Sequence, residues 1–284
     1  MASILVTGAG GFIGSAVCRS LRRDGHAVAE LSREAGDIAE RATLENVGAV
    51  QHVFHLAGRT FVPDSWKDPL EFQRVNVLGT TNVLEFCRAR GSRLTYISAY
   101  LYGVPETLPV SEACALRPNN PYALSKCLAE QVCAFYAKHN DVEVTVLRPF
   151  NVYGPGQKAH FLIPQILRDV KERKAVRVKD LDPRRDYVYI DDLVDALGKT
   201  LDGPRGYNVL NIGSGSSISV RELIAVVQAV ARTELPVFSE GKVRPNEIDD
   251  VYADIHKART LLGWSPSVTL RQGIERMMIE EAVA

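Results

Sequence analysis

Tyr122-Ala123-Leu124-Ser125-Lys126 places a phenol and an ammonium four residues apart, and Ser98 precedes them by 24 positions. On a helix, residues at i and i+4 share a face, so the tyrosine hydroxyl and the lysine point the same way. A tyrosine has a pKa of about 10, and lowering it by roughly 3 units takes about 4 kcal/mol of differential stabilisation. Lys126, together with the positive ring of an oxidised nicotinamide, is the source the spacing offers. Ser98 closes the strand Leu94–Ile97, where doubly wound sheets carry their sites, and would orient the substrate oxygen. Near the start, Thr7-Gly8-Ala9-Gly10-Gly11-Phe12-Ile13-Gly14 joins an apolar strand to a helix. Gly8 permits the tight turn, Gly11 lets backbone approach a phosphate, and Gly14 lets helix and strand pack closely. The helix start at Phe12 and Ile13 supplies free N–H groups to a pyrophosphate. The two signals together imply hydride transfer between a dinucleotide and a carbonyl or alcohol, with Tyr122 exchanging the proton.

The form of the dinucleotide is read at the end of the second strand, where an acid binds a ribose 2′-hydroxyl and an arginine accommodates a 2′-phosphate. Here that strand runs into Glu30-Leu31-Ser32-Arg33. Ser32 fills the usual acidic position, so Arg33 favours NADP(H), with NAD(H) the alternative. Glu30 faces the same way as Ser32 without the same reach.

Positioning these groups requires strands that alternate with helices. Ile4–Val6, Ala27–Leu31, Val50–His55, Leu94–Ser98 and Val142–Leu147 read as strands. Phe12–Asp24, Val75–Arg90 and Tyr122–His139 read as helices between them. The alternation predicts an α/β protein with a Rossmann-type, doubly wound parallel sheet. Gly36-Asp37-Ile38 would be a very short strand, and Ser32–Gln51 is compressed enough that one crossover is little more than a loop. After Arg148-Pro149 the pattern changes to a Gly/Pro loop at 153–157, a helix over Ile163–Lys174, and strands at Ala175–Val178 and Asp186–Ile190. Ser219–Ala231 is an amphipathic helix with a cap at Ser219 and Glu222 three residues on. Ala253–Leu262 and Leu270–Met278 are further helices.

The 284 residues are 46% hydrophobic, enough for one large α/β unit or two joined portions, and carry 34 basic against 34 acidic groups. That balance gives no sign of a nucleic-acid or membrane-surface partner. No apolar run approaches the roughly 20 residues of a membrane helix. Five cysteines without C-x-x-C spacing argue against a disulfide framework or metal site and fit a reducing, cytoplasmic setting.

Taken along its length, the chain resembles the extended short-chain dehydrogenase/reductases, in particular the nucleotide-sugar epimerase/dehydratase/reductase family. Besides Thr7–Gly14 and Tyr122–Lys126, the resemblance runs through Phe54–Gly58, Asn76–Thr80, Ser98–Gly103, Arg148–Gly156, Arg185–Asp192, Asn211–Gly215, Ala253–Arg259 and Leu262–Pro266. It implies that Asp37 and Ile38 contact adenine, that Leu56, Ala57 and Gly58 line the cofactor, and that Asn76 sits near the catalytic segment. It places the Lys126 ammonium against the nicotinamide ribose. Asn151 and Arg185 would bind the diphosphate or nucleotide of a nucleotide sugar, Arg244 would grip the diphosphate, and Glu247 would lie near the nucleotide ribose. It further implies a homodimer through the helices Val75–Arg90 and Tyr122–His139, to which Leu84, Cys87, Leu128, Val132 and Phe135 could lend apolar surface. Residues 1–152, with 183–213 returning to them, would form the dinucleotide-binding domain. Residues 153–182 and 214–284 would form a smaller α/β substrate-binding portion.

Family members that eliminate water carry acids just after the catalytic serine or threonine. This chain has Ala99 and Tyr100 there, which disfavours dehydration. The reading this leaves first is an NADP(H)-dependent reductase of a 4-keto nucleotide sugar. The alternatives are a 4-epimerase with tightly held NAD and, more remotely, a non-catalytic dinucleotide sensor.

Overall fold

The computed structural model describes residues 1–241 and 247–283. Six strands, β1 (Ser3–Thr7), β2 (Ala27–Leu31), β3 (His52–His55), β4 (Arg93–Ile97), β5 (Val144–Pro149) and β6 (Tyr207–Ile212), form one sheet. Their order is β6-β5-β4-β3-β1-β2, and every neighbouring pair is parallel. The predicted doubly wound, Rossmann-type α/β fold is therefore what the chain forms. From β1 the chain moves outward to β2, then crosses to β3 on the other side of β1. That reversal opens a crevice beyond the C-terminal ends of β1 and β3, the place such sheets bind ligands.

Strands β1, β3, β4 and β5 are almost wholly buried, because helices cover both faces and leave no solvated side. One core joins β1 and β4 residues to helix α1 (Phe12–Arg23) and to the helix Ile190–Lys199. The opposite core holds Val83, Leu84 and Cys87 of helix α2 (Gly79–Arg90) and Ala129 and Cys133 of helix α3 (Pro121–His139). A third cluster forms among Tyr153, the helix Leu162–Lys171, the helix Val220–Ala231 and Ile274 with Met277. The capping box at Ser219 and Glu222 is present as its spacing implied.

Several expectations need correction. Gly36-Asp37-Ile38 is not a strand: Gly36 has φ +156°, and Asp37 Oδ1 accepts from the Ala39 N–H at 2.9 Å, which starts a turn. The crossover Ser32–Gln51, by contrast, is little more than a loop as expected, with the short 3₁₀ turn Arg41–Leu44, and β2 ends the sheet. Val75–Arg90 is not one regular helix. A π turn, Arg74–Leu78, leads into α2. Leu84 and Cys87 lie in the sheet-facing core, and Val132 packs against it, so they are not surface. Phe135, by contrast, is 58% exposed. β6 and the helix Ile190–Lys199 went unread, the former because Tyr207-Asn208-Val209-Leu210-Asn211-Ile212 acquires its strand character from pairing along β5.

Among the described residues no helix is long and apolar enough to cross a membrane. All five cysteines are free thiols.

Candidate active site

The glycine loop is closed against β3. Gly8 has φ +71°, and a Cβ there would lie 2.7 Å from the Ala57 nitrogen. A Cβ on Gly14 would fall 2.1 Å from the Gly8 carbonyl oxygen. Only glycine fits either position, and the result is a floor of bare backbone. Helix α1 begins at Phe12 with Gly11 as N-cap and no side-chain cap, so the N–H groups at Phe12, Ile13 and Gly14 face outward without a competing side chain. Arg22 and Arg23 complement the dipole at the other end. A bare backbone floor, an uncapped helix start and the crevice at the switch point fit a dinucleotide pyrophosphate. Leu56, Ala57 and Gly58 follow β3 directly; a Cβ on Gly58 would press on Asn76 Oδ1 at 3.0 Å.

On the adenosine side, Ser32 stands next to Gly10, whose Cβ would meet its own at 3.6 Å. Arg33 is exposed, and its guanidinium makes no hydrogen bond or ion pair among the described residues. Glu30 is occupied by Arg22 at 2.5 Å. The carboxylate of Asp37 is paired with Arg74 at 2.5 Å, and Arg74 also holds Glu71 at 2.7 Å. Ile38 is buried and packs under Gly79.

The catalytic candidates converge at the ends of β4 and the start of α3. Ser98 is buried, its N–H donates to the Leu147 carbonyl, and its Oγ has no hydrogen-bond partner among the described residues. A buried hydroxyl without a partner is costly unless something supplies one. Tyr122 lies in the first turn of α3, which Asn120 caps by accepting from the Ala123 N–H at 2.8 Å. Burial pushes its phenol pKa above the ordinary value. Lys126 donates to the Ile97 carbonyl at 2.5 Å and lies 4.2 Å from the centre of the Tyr96 ring. Burial pushes its ammonium down to about 7, with Glu130 pulling the other way. The ammonium is spent on Ile97 and Tyr96, and desolvation of the phenol is unopposed. Asn76 joins this group as expected: its amide spans the Arg59 backbone and Ser125, and Ser125 Oγ donates to the Tyr122 carbonyl at 2.7 Å.

On the far side of the crevice, Asn151 opens the short strand Asn151–Tyr153, is exposed, and donates to the Asp186 carbonyl at 2.9 Å. Arg185 and Glu247 are brought into an ion pair, and Arg185 also donates to the Ile248 carbonyl at 2.5 Å. Arg244 lies outside the described residues.

Two groups escaped the sequence reading. Glu130 and Arg148 form a buried bidentate pair, which is continued by Arg148 to the Tyr102 hydroxyl at 2.8 Å and by Tyr102 to Asn211 at 2.7 Å. Burial opposes the arginine's charge, but the hydrogen bonds to Glu130 outweigh it and raise its pKa. Glu130 follows Lys126 at i+4, so helical spacing could have flagged it. The second group is the histidine–threonine set around His55, whose residues lie inside motifs quoted above but whose contacts only the fold reveals.

The model of the NAD dependent epimerase/dehydratase family matches residues 4–213. A GDP-6-deoxy-D-mannose reductase of Pseudomonas aeruginosa is 33% identical over 238 residues, 80% of this chain and 78% of its own length. A UDP-glucose 4-epimerase of Mycolicibacterium smegmatis is 33% identical and is matched over 96% of each chain. The solved structure of RMD from Pseudomonas aeruginosa complexed with NADPH superposes with a TM-score of 0.91 at 31% identity, over 100% of both chains.

Proposed function

This chain belongs to the NAD dependent epimerase/dehydratase family, and from that premise we propose that it reduces the 4-keto group of a nucleoside-diphosphate hexose with NADP(H). The observation that carries the reading is the Ser98 hydroxyl, buried and without a partner among the described residues, which follows directly on the Ile97 carbonyl that Lys126 holds. It awaits an oxygen, and a sugar carbonyl supplies one. When bound, the dinucleotide supplies the hydride. Ser98 donates to the substrate oxygen and fixes its direction. Tyr122, kept protonated by its burial, delivers the proton that turns the ketone into an alcohol. Lys126 holds the first turn of α3 against β4 through Ile97.

The choice of NADP(H) rests on Arg33, exposed and unengaged beside Ser32, with Glu30 already committed to Arg22. The reductase from Pseudomonas aeruginosa and its NADPH complex are consistent with it. The nucleotide sugar would lie between the dinucleotide domain, 1–152 with 183–213, and the portion built from 153–182 and 214–284. Asn151, Arg185 and Glu247 would face its diphosphate and nucleoside, joined by Arg244. The working unit would be a cytoplasmic homodimer.

A second reading, a 4-epimerase retaining NAD(H), is favoured by the near full-length similarity to the UDP-glucose 4-epimerase. One experiment separates them. The purified protein is denatured, the released nucleotide is identified, and fresh protein is offered UDP-, GDP- and dTDP-linked 4-keto hexoses with NADPH and, separately, the corresponding C4 alcohols without added cofactor. Net loss of NADPH absorbance with formation of one C4 alcohol is the expected outcome. Tightly held NAD, with C4 epimers interconverting and no net absorbance change, would replace the reductase with the epimerase.

A further inference from the structure

His55 is completely buried at the end of β3, between the strand that feeds the glycine loop and the π turn that carries Asn76. Its two ring nitrogens touch two threonine hydroxyls: Nδ1 lies 2.7 Å from Thr7 Oγ1, and Nε2 lies 3.1 Å from Thr80 Oγ1. The direction of each bond follows from counting. Thr7 Oγ1 accepts from the backbone N–H groups of Leu56 and Ala57, both at 3.2 Å. The Leu56 N–H is shared with the Thr7 carbonyl, also at 3.2 Å, so the Thr80 end decides: its one hydrogen goes to the Asn76 carbonyl, and its oxygen can only accept from Nε2. A neutral imidazole therefore carries its hydrogen on Nε2, which donates to Thr80, and Nδ1 is bare. Thr80 in turn donates to the Asn76 carbonyl at 2.6 Å.

The groups around the ring agree with a neutral tautomer. Tyr96 stacks on it with ring centres 5.6 Å apart, and the nearby Lys126 disfavours a second positive charge. A proton on Nδ1 would meet an oxygen that already accepts from Ala57 and shares the Leu56 N–H.

Beyond Thr80 the connection continues to the proposed acid. A hydroxyl bond back to the carbonyl four residues earlier bends a helix, and here it falls at the π turn Arg74–Leu78, a distortion common at functional sites. The turned backbone presents the Asn76 amide to Arg59 on one side and to Ser125 Oγ, at 2.8 Å, on the other. Ser125 closes the path on the Tyr122 carbonyl at 2.7 Å. At the other end, Thr7 ties the glycine loop to Leu56 and Ala57, against which Gly8 packs.

We propose that His55 is a positioning residue that fixes the catalytic helix relative to the dinucleotide cradle, acting through Thr80, the bent turn at Asn76 and Ser125. The role rests on the reading of Tyr122 as the proton donor, but the connection itself can be tested without that reading. Thr80→Ser keeps the hydroxyl that both accepts from His55 and donates to Asn76, whereas Thr80→Val removes it at nearly constant volume. Three measurements are made on both variants and on wild type: NADPH affinity by fluorescence titration, hydrogen exchange over residues 74–78 and 121–126, and the ¹⁵N shifts of the His55 ring.

In wild type, the ring shows a bare Nδ1 and a protonated Nε2. Thr80→Val is expected to speed exchange in both segments by about tenfold, the change that loss of one hydrogen bond gives. Its NADPH affinity stays within about threefold, because the Thr7 end of the path is intact. Thr80→Ser matches wild type. With whichever 4-keto nucleotide sugar is turned over, Thr80→Val lowers kcat by about tenfold and leaves KM unchanged. A protonated Nδ1, equal behaviour of the serine and valine variants, or wild-type exchange in Thr80→Val would each overturn the proposal. If Thr80→Val does not fold, Ser125→Ala cuts the same path nearer Tyr122 and should speed exchange over 121–126. Unchanged exchange there overturns the proposal. Full turnover by Tyr122→Phe would remove the assigned proton donor and leave the connection standing.

Discussion

Burial pushes the Tyr122 phenol above its ordinary pKa, which suits it to donate a proton at neutral pH, and the Ser98 hydroxyl at the end of β4 has no partner among the described residues. This is the protonation a ketone reduction needs. Tyr122→Phe should leave the fold and NADPH binding intact while lowering turnover by about 10²–10⁴-fold; activity within about threefold of wild type would dismiss the assignment. Arg33 poses a separate question, since it touches the cofactor's identity and not the reaction. Arg33→Ala should weaken NADP(H) by roughly 1–3 kcal/mol, the range for hydrogen bonds to a charged group, and leave NAD(H) nearly unchanged. Parallel titrations decide it, and equal losses for both dinucleotides would refute the 2′-phosphate role. Both residues were legible in the sequence because each function depends on spacing within one turn. The placement of the Lys126 ammonium was not, because the Ile97 carbonyl and the Tyr96 ring that receive it belong to strand β4.

At the scale of elements, the segment 69–90 and helix α3 pack side by side on one face of the sheet and present an apolar stripe to solvent. Leu70 is 77% exposed, Leu78 47%, Leu124 44% and Phe135 58%. On α3, Leu124, Leu128 and Phe135 recur at helical spacing, away from Ala129 and Cys133, which enter the core. Two copies related by a two-fold axis could bury this stripe as a four-helix packing. Sedimentation of the wild-type chain of 31.3 kDa should therefore report a dimer at micromolar concentration. Leu124→Asp combined with Phe135→Asp should shift it to monomer with the fold retained. A wild-type monomer would remove the homodimer from the proposal. Periodicity found these two helices but could not say which apolar residues face outward. Leu84 and Cys87 fit the same pattern and are buried, because they lie on the side of α2 that packs into the core with Ala129 and Cys133.

For the whole molecule, pH dependence follows from two histidines sealed in the interior. Burial pushes both His52 and His55 down to about 3, and each is held by threonine hydroxyls. An unfolded histidine titrates near 6.5, so the unfolded chain takes up protons that the folded one refuses. The stabilisation is fully present above about pH 6.5 and is lost as pH falls towards 3, the loss reaching about 2 kcal/mol per histidine at pH 5. Tm should thus drop by several degrees between pH 7.5 and pH 5, before the carboxylates begin to protonate, and a flat profile over that window would show that the rings are not sealed. The sequence by itself determined the glycine loop, the Tyr122–Lys126 pair, the order of strand and helix, and the capping box at Ser219. Each of these is written in residues a few positions apart, where backbone geometry leaves few alternatives. Only the tertiary structure decided the pairing of Asn76 with Ser125, 49 residues away, of Arg185 with Glu247, 62 away, and of Tyr102 with Asn211, 109 away. It alone made β6 a strand and set the hydrogen-bond direction through His55, because a buried polar group takes whichever partner the packing of distant segments leaves within reach.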